Sequence, residues 1–164
     1  QMNLTRLSNG KQVDSRIYPS LQKMFNAARA SGLALFVREG YRTFRDQKQI
    51  MNEKIRDYEN QGNFKWQAAR MAEKYVAIPG TSEHELGVSV DINADQTRCS
   101  SEKVYRWLAD HAYKYGFIKR YPSDKSYITG INNEPWHYRY VGREAAATMK
   151  AQNLCLEEYL KKYK

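Results

Sequence analysis

After Pro19, apolar residues recur at three- and four-residue spacing: Leu21, Met24, Phe25 and Ala28 fall on one side of a helix that Gly32 can end. Leu33 to Val37 is a short apolar run closing on Arg38, long enough for a buried strand and too short for a helix. A loop through Gly40 leads to Thr43, and Asp46 three residues later completes a capping-box pattern that opens a long helix from about Phe44 to Tyr58. A second helical stretch runs from about Lys65 to Tyr75. Pro79 and Gly80 then place Ile78 to Gly87 in a loop.

From Val88 to Asn93 the period changes to two, with Val88, Val90 and Ile92 on one face and Ser89, Asp91 and Asn93 on the other. Asp91 therefore points away from the apolar side. A third amphipathic helix from about Ser101 to Tyr115 carries Val104, Trp107, Leu108, His111, Ala112 and Tyr115 on one stripe, and Gly116 stops it. Phe117 to Tyr121 reads as a strand. Trp136 to Val141 alternates again, with Trp136, Tyr138 and Tyr140 opposed to His137, Arg139 and Val141, and the tail from Arg143 is helical by composition. Helices interspersed with short strands predict an α+β fold, a small, mainly antiparallel sheet packed against helices, as a single domain over residues 1–164.

Composition supports a folded chain and narrows its partners. At 41% hydrophobic and 27% charged residues, the chain is far from the make-up of disordered segments, and its 164 residues suffice for a continuous core. The net charge of +9 implies an anionic partner: nucleic acid, acidic headgroups or an anionic cell wall. The basic residues form no run and no nucleic-acid motif, which disfavours nucleic acid and leaves a lean toward the cell wall or a membrane surface. No stretch approaches the roughly 20 apolar residues of a membrane helix. Because the chain opens at Gln1, it reads as a processed or partial form, with any export signal or anchor outside it. Cys99 and Cys155 lack the C-x-x-C spacing of a zinc or redox site and are expected to be free buried thiols, with a disulfide between them as the alternative.

Two of the three histidines sit in clusters with carboxylates: Ser82-Glu83-His84 through Asp91, and Glu134-Pro135-Trp136-His137. A catalytic zinc takes about three protein ligands and keeps one position open. His84, Asp91 and His137 meet that requirement, with His84 in a loop before a strand, Asp91 on that strand's polar face and His137 on another strand. Water activated there needs a base beside the metal, which Glu134 can supply; as alternatives, Glu134 is a fourth ligand or orients a ligand histidine. Trp136, Tyr138 and Tyr140 are expected in the core, with a place on the pocket wall as the alternative for Trp136, and His111 as a packed or half-exposed side chain rather than a ligand.

These residues resemble the zinc D,D- and L,D-carboxypeptidases of the VanY type, grouped with D-alanyl-D-alanine dipeptidases. The motifs are Ser82-x-His84-x-x-Gly87-x-x-x-Asp91, Glu134-Pro135-Trp136-His137-Tyr138-Arg139-Tyr140, and Gly40-Tyr41-Arg42 followed by Gln47, spanning about Arg38 to Val141. The resemblance implies one Zn2+ per chain held on the sheet by His84, Asp91 and His137, with Glu134 as general base and then acid. It implies that Arg42 supports the reacting carbonyl, and that Gln47 and Ser82 hydrogen-bond the substrate. Taken alone, Arg42 would be a surface arginine after a turn, Ser82 a loop cap and Gln47 a solvent-facing residue. The expected function is removal of the C-terminal D-Ala from peptidoglycan stem pentapeptides, by a monomer working outside the cytoplasm or anchored at the cell surface. The competing readings are an L,D-carboxypeptidase, a D-Ala-D-Ala dipeptidase, a cell-wall endopeptidase, a cytoplasmic enzyme and a non-catalytic zinc-bearing binding module such as the similar Hedgehog signalling domain.

Overall fold

The computed structural model describes residues 2–164. The described chain opens with a hairpin that the apolar pattern does not predict, β1 (Leu4–Arg6) paired antiparallel with β2 (Gln12–Asp14). Helix α1 (Tyr18–Ala30) follows, with Pro19 in its first turn and Leu21, Met24, Phe25 and Ala28 all buried, as their spacing predicts. Strand β3 is Leu35–Glu39, two residues later than the apolar run suggested. Helix α2 (Phe44–Asn60) has the expected Thr43/Asp46 capping box, and α3 (Lys65–Ala72) ends short of Tyr75.

Strand β4 (Ser89–Ala94) leads to α4 (Ser101–His111), which tightens into a 3-10 turn over Ala112–Tyr115 before Gly116, at φ 88°, ends it. His111 lies half-buried against Trp107, ring centroids 4.9 Å apart, far in role from any ligand set. Strand β5 (Phe117–Tyr121) has its expected bounds, and a short helix, α5 (Ser126–Thr129), interrupts the loop before β6 (Glu134–Tyr140). The helical tail divides into α6 (Arg143–Gln152) and α7 (Leu156–Tyr163), because Asn153 takes a left-handed conformation, φ 49°, and the Cys155 N–H is capped by the Glu158 carboxylate.

The main sheet is antiparallel with order β3-β4-β6-β5. Val37, Val90, Ile92, Tyr138 and Phe117 pack with the apolar faces of α1 and α4 in one core cluster. Ile118, Ala146 and Met149 form a second, smaller cluster. Because strand side chains alternate, the opposite face of β4 and β6 carries Ser89, Asp91, His137 and Arg139. That face is also buried: Ser89 is inaccessible, Asp91 9% exposed and His137 4% exposed. Cys99 and Cys155 are both free.

Candidate metal centre

The loop before β4 contains one 3-10 turn, Glu83–Leu86. The Ser82 hydroxyl accepts from the His84 N–H (3.3 Å) at its start, and Gly87, at φ 69°, accepts the left-handed conformation that ends it. A Cβ on Gly87 would also press on Asp14 of the hairpin. The serine and glycine of S-x-H-x-x-G are thus the cap and stop of a turn that holds His84 buried at 2% exposure. The His84 carbonyl accepts from the Arg42 N–H (3.2 Å), and His84 Nδ1 lies 2.8 Å from the Gly40 carbonyl. A carbonyl only accepts, so Nδ1 carries the proton and Nε2 presents a lone pair. Burial, together with the charges of His137 and Arg42, lowers the pKa of His84 and keeps the ring neutral despite Asp91 beside it.

Asp91 and His137 are direct partners in the β4–β6 register, and paired residues share a face. His137 Nδ1 is 3.0 Å from Asp91 Oδ1, and His84 Nε2 approaches the same oxygen at 3.3 Å, the two imidazoles lying edge-on at 85°. One donor atom from each of the three side chains lies within 4.8 Å of the others. Around a tetrahedral ion with bonds of about 2.0–2.1 Å, donor atoms stand about 3.3 Å apart. The pair formed by the His84 Nε2 lone pair and the anionic Asp91 oxygen, both acceptors, also calls for a cation between them. On spacing and on donor chemistry the three residues fit a zinc ion.

Glu134 Oε2 is 3.7 Å from His137 Nδ1, at the start of β6, beside the donor set. Burial first, and then the negative charges of Asp91 and Glu83, raise its pKa to about 7 against the opposing pull of His137 and Arg42. Arg42, Gln47, Ser82 and Glu134 line one cleft of about 530 Å³ with the three donor residues, and Arg38, Lys54 and Tyr75 lie on its walls. Gln47 does not face solvent: it is 1% exposed, its Nε2 donates to the Ala77 carbonyl (2.8 Å) and its Oε1 has no partner. Arg42 Nε is likewise buried without a partner. Trp136 departs from expectation, lining the cleft instead of the core, whereas Tyr138 is a core residue at 1% exposure.

Pattern reading passed over Glu83, which precedes His84 in the same turn. Its Oε2 is 3.3 Å from His137 Nε2, Arg120 Nε donates to its Oε1 (2.8 Å), and Ser89 Oγ donates to Oε2 (3.0 Å). Burial would raise its pKa, but His137 and Arg120 outweigh it and hold the carboxyl at about 2. The same two carboxylates, Asp91 and Glu83, overcome the burial of His137 and lift its pKa to about 9. The available signal was a third acidic residue inside a histidine cluster.

The family model described as VanY, D-alanyl-D-alanine carboxypeptidase, matches residues 10–143. A D-alanyl-D-alanine carboxypeptidase of Enterococcus faecalis (strain ATCC 700802 / V583) is 55% identical over 159 residues, covering 97% of this chain and 59% of that protein. The chain therefore spans less than two thirds of that relative's length. Among solved structures, VanYB in complex with D-alanine-D-alanine superposes with a TM-score of 0.98 at 54% identity, covering 100% of this chain and 91% of that one. A mutant of the vancomycin resistance D,D-pentapeptidase VanY from a VanB-type resistance cassette, in complex with Zn(II), gives 0.95 at 54% identity, covering 98% and 90%.

Proposed function

This chain belongs to the VanY family of D-alanyl-D-alanine carboxypeptidases, and we propose that it is a zinc-dependent D,D-carboxypeptidase that removes the terminal D-Ala from peptidoglycan stem pentapeptides. In this reading residues 1–164 act as one catalytic domain. The observation that carries it is the convergence of two imidazoles and the Asp91 carboxylate beside Glu134, in a cleft that also holds Arg42. The relatives' complexes with Zn(II) and with D-alanine-D-alanine support both the metal and the substrate class.

A zinc ion held by His84, Asp91 and His137 would supply Lewis acidity, acidifying a water and polarising the scissile carbonyl. Glu134 takes the proton of the attacking water and returns it to the amine of the departing D-Ala, acting as base and then acid. Its carboxyl, raised to about 7 among other acidic groups, ionises more readily beside a dication and is then poised to accept a proton. Arg42 steadies the negative charge that develops on the carbonyl oxygen, in a cleft that limits water. The unpartnered Gln47 Oε1 accepts from a substrate N–H, and the Ser82 hydroxyl donates to the terminal carboxylate.

We place this activity at the anionic cell wall, outside the cytoplasm, and in a monomer; the net charge of +9 supports the cell-wall setting. No helix among the described residues is long and apolar enough to cross a membrane. The test is product analysis by mass spectrometry after incubating zinc-loaded protein with a pentapeptide stem, a tetrapeptide stem and free D-Ala-D-Ala, with a chelator control. Chelator-sensitive loss of one D-Ala from the pentapeptide is the expected result. Cleavage of the tetrapeptide or the dipeptide instead would reassign the substrate, and no release from any of them would overturn the reading.

A further inference from the structure

We propose that Glu83 is the positioning residue of this centre: its carboxylate holds the proton of His137 on Nε2, so that Nδ1 is the atom presented to the metal. The proposal rests on the zinc reading of His84, Asp91 and His137. A ligand histidine has two ring nitrogens, and the hydrogen bond made by one decides which tautomer the other presents. In this site His84 has its partner in the Gly40 carbonyl, which leaves His137 as the ring whose orientation depends on a side chain. Glu83 Oε2, 3.3 Å from His137 Nε2 and 10% exposed, is that side chain.

The carboxylate is itself immobilised from several directions. Arg120 Nε donates to Oε1 at 2.8 Å, Arg139 approaches Oε1 at 3.2 Å, and the Ser89 hydroxyl donates to Oε2 at 3.0 Å. Arg120 cannot swing away readily, since its two terminal nitrogens form a fork onto Glu157 of α7 at 3.0 and 2.6 Å. The turn that supplies one ligand, His84, therefore also supplies the group that orients another, and the C-terminal helix braces that group through Arg120. A surface ion pair would need none of this burial or convergence.

The experiment follows the histidine rings by long-range 1H–15N correlation in protein labelled with 15N-histidine and loaded with zinc, alongside zinc affinity by chelator competition. In the unmodified protein His137 should show a protonated Nε2 in slow exchange with solvent. Glu83→Ala should lose that protected proton and bind zinc about 10- to 100-fold more weakly. Glu83→Gln, which keeps size and an acceptor oxygen, should recover most of both; if the alanine variant fails to fold, Glu83→Met, similar in size but without an acceptor oxygen, takes its place and should show the same losses. A merely structural role would lower stability in the variant without an acceptor while leaving the tautomer and the zinc affinity alone; in that variant, an affinity within about twofold of the unmodified protein and an unchanged His137 signal would overturn the proposal. Failure of the unmodified protein to bind zinc would instead sink the reading of the site.

Discussion

Asp91 and His137, 46 residues apart in the chain, stand directly opposite each other in the β4–β6 register, and that pairing sets Asp91 Oδ1 3.0 Å from His137 Nδ1. The sheet itself thus places two of the three candidate donors, and rigid strands hold them more closely than loops would. The third, His84, comes from a single capped turn, and each part of the site can be tested separately.

Glu134 Oε2 lies 3.7 Å from His137 Nδ1, beside the candidate donors. Glu134→Ala should retain zinc with affinity little changed while turnover falls by at least about 10²- to 10⁴-fold, the usual contribution of a general acid–base. His84→Ala should lose metal and activity together. Metal content by atomic absorption and steady-state rates distinguish the two; substantial residual turnover in Glu134→Ala would remove Glu134 from the role of base.

For Arg42, the prediction is a loss confined to catalysis. Replacing Arg42 by alanine should lower kcat by about 10²- to 10³-fold, the scale of one lost oxyanion partner, with zinc affinity unaffected. Lysine should rescue only in part, since it lacks the planar fork. A rise in KM alone, with kcat intact, would show that Arg42 binds substrate without stabilising the transition state.

Gly40 tolerates no side chain, because a Cβ there would run into the backbone carbonyl of Gln12. That carbonyl also accepts from the Tyr41 N–H (2.6 Å), so the N-terminal hairpin clamps the segment that leads to Arg42. Gly40→Ala should cost about 1–3 kcal/mol of stability. It should also weaken zinc binding, because the Gly40 carbonyl that fixes His84 would shift. Chemical denaturation and chelator competition measure the two effects, and a variant with native values for both would refute the clamp.

The metal should compete with a proton at His137. Burial disfavours the charged ring, but bonds to Asp91 and Glu83 outweigh it and raise the pKa from 6.5 to about 9. A raised folded-state value means that protonated His137 stabilises the metal-free protein fully below pH 6.5, and that this contribution is lost as pH rises through about 9. Zinc must displace the Nδ1 proton, so its apparent affinity should climb by up to about tenfold per pH unit across this window and then level off. Competition titrations from pH 6.5 to above 9, with calorimetry in two buffers to count the released proton, check this; an affinity flat over the window would show that His137 is already neutral.

Much of the scaffold was legible in periodicity. The apolar spacing of Leu21, Met24, Phe25 and Ala28, the Thr43/Asp46 capping box and the alternation around Asp91 and His137 are local patterns, and the corresponding elements formed where those patterns lie. The hairpin of β1 and β2 was missed because strands of three residues are too short to show a period. Composition predicts a helical tail without marking the break at Asn153, which depends on one residue adopting a left-handed conformation.

The amino-acid sequence by itself determined the chemistry present: two histidines and acidic residues at spacings that a turn and two strands can use, and a chain rich enough in apolar periodicity to fold around them. The tertiary structure decided where each acidic residue stands. Asp91, Glu134 and Glu83 are chemically alike, and only strand register, burial and the reach of Arg120 set one among the donors, one beside them at a raised pKa, and one behind His137 as an ionised partner. The reason is physical: a carboxylate's role follows from its distances to charges and donors, and those distances come from residues such as His137 and Arg120, 54 and 37 positions from Glu83 along the chain.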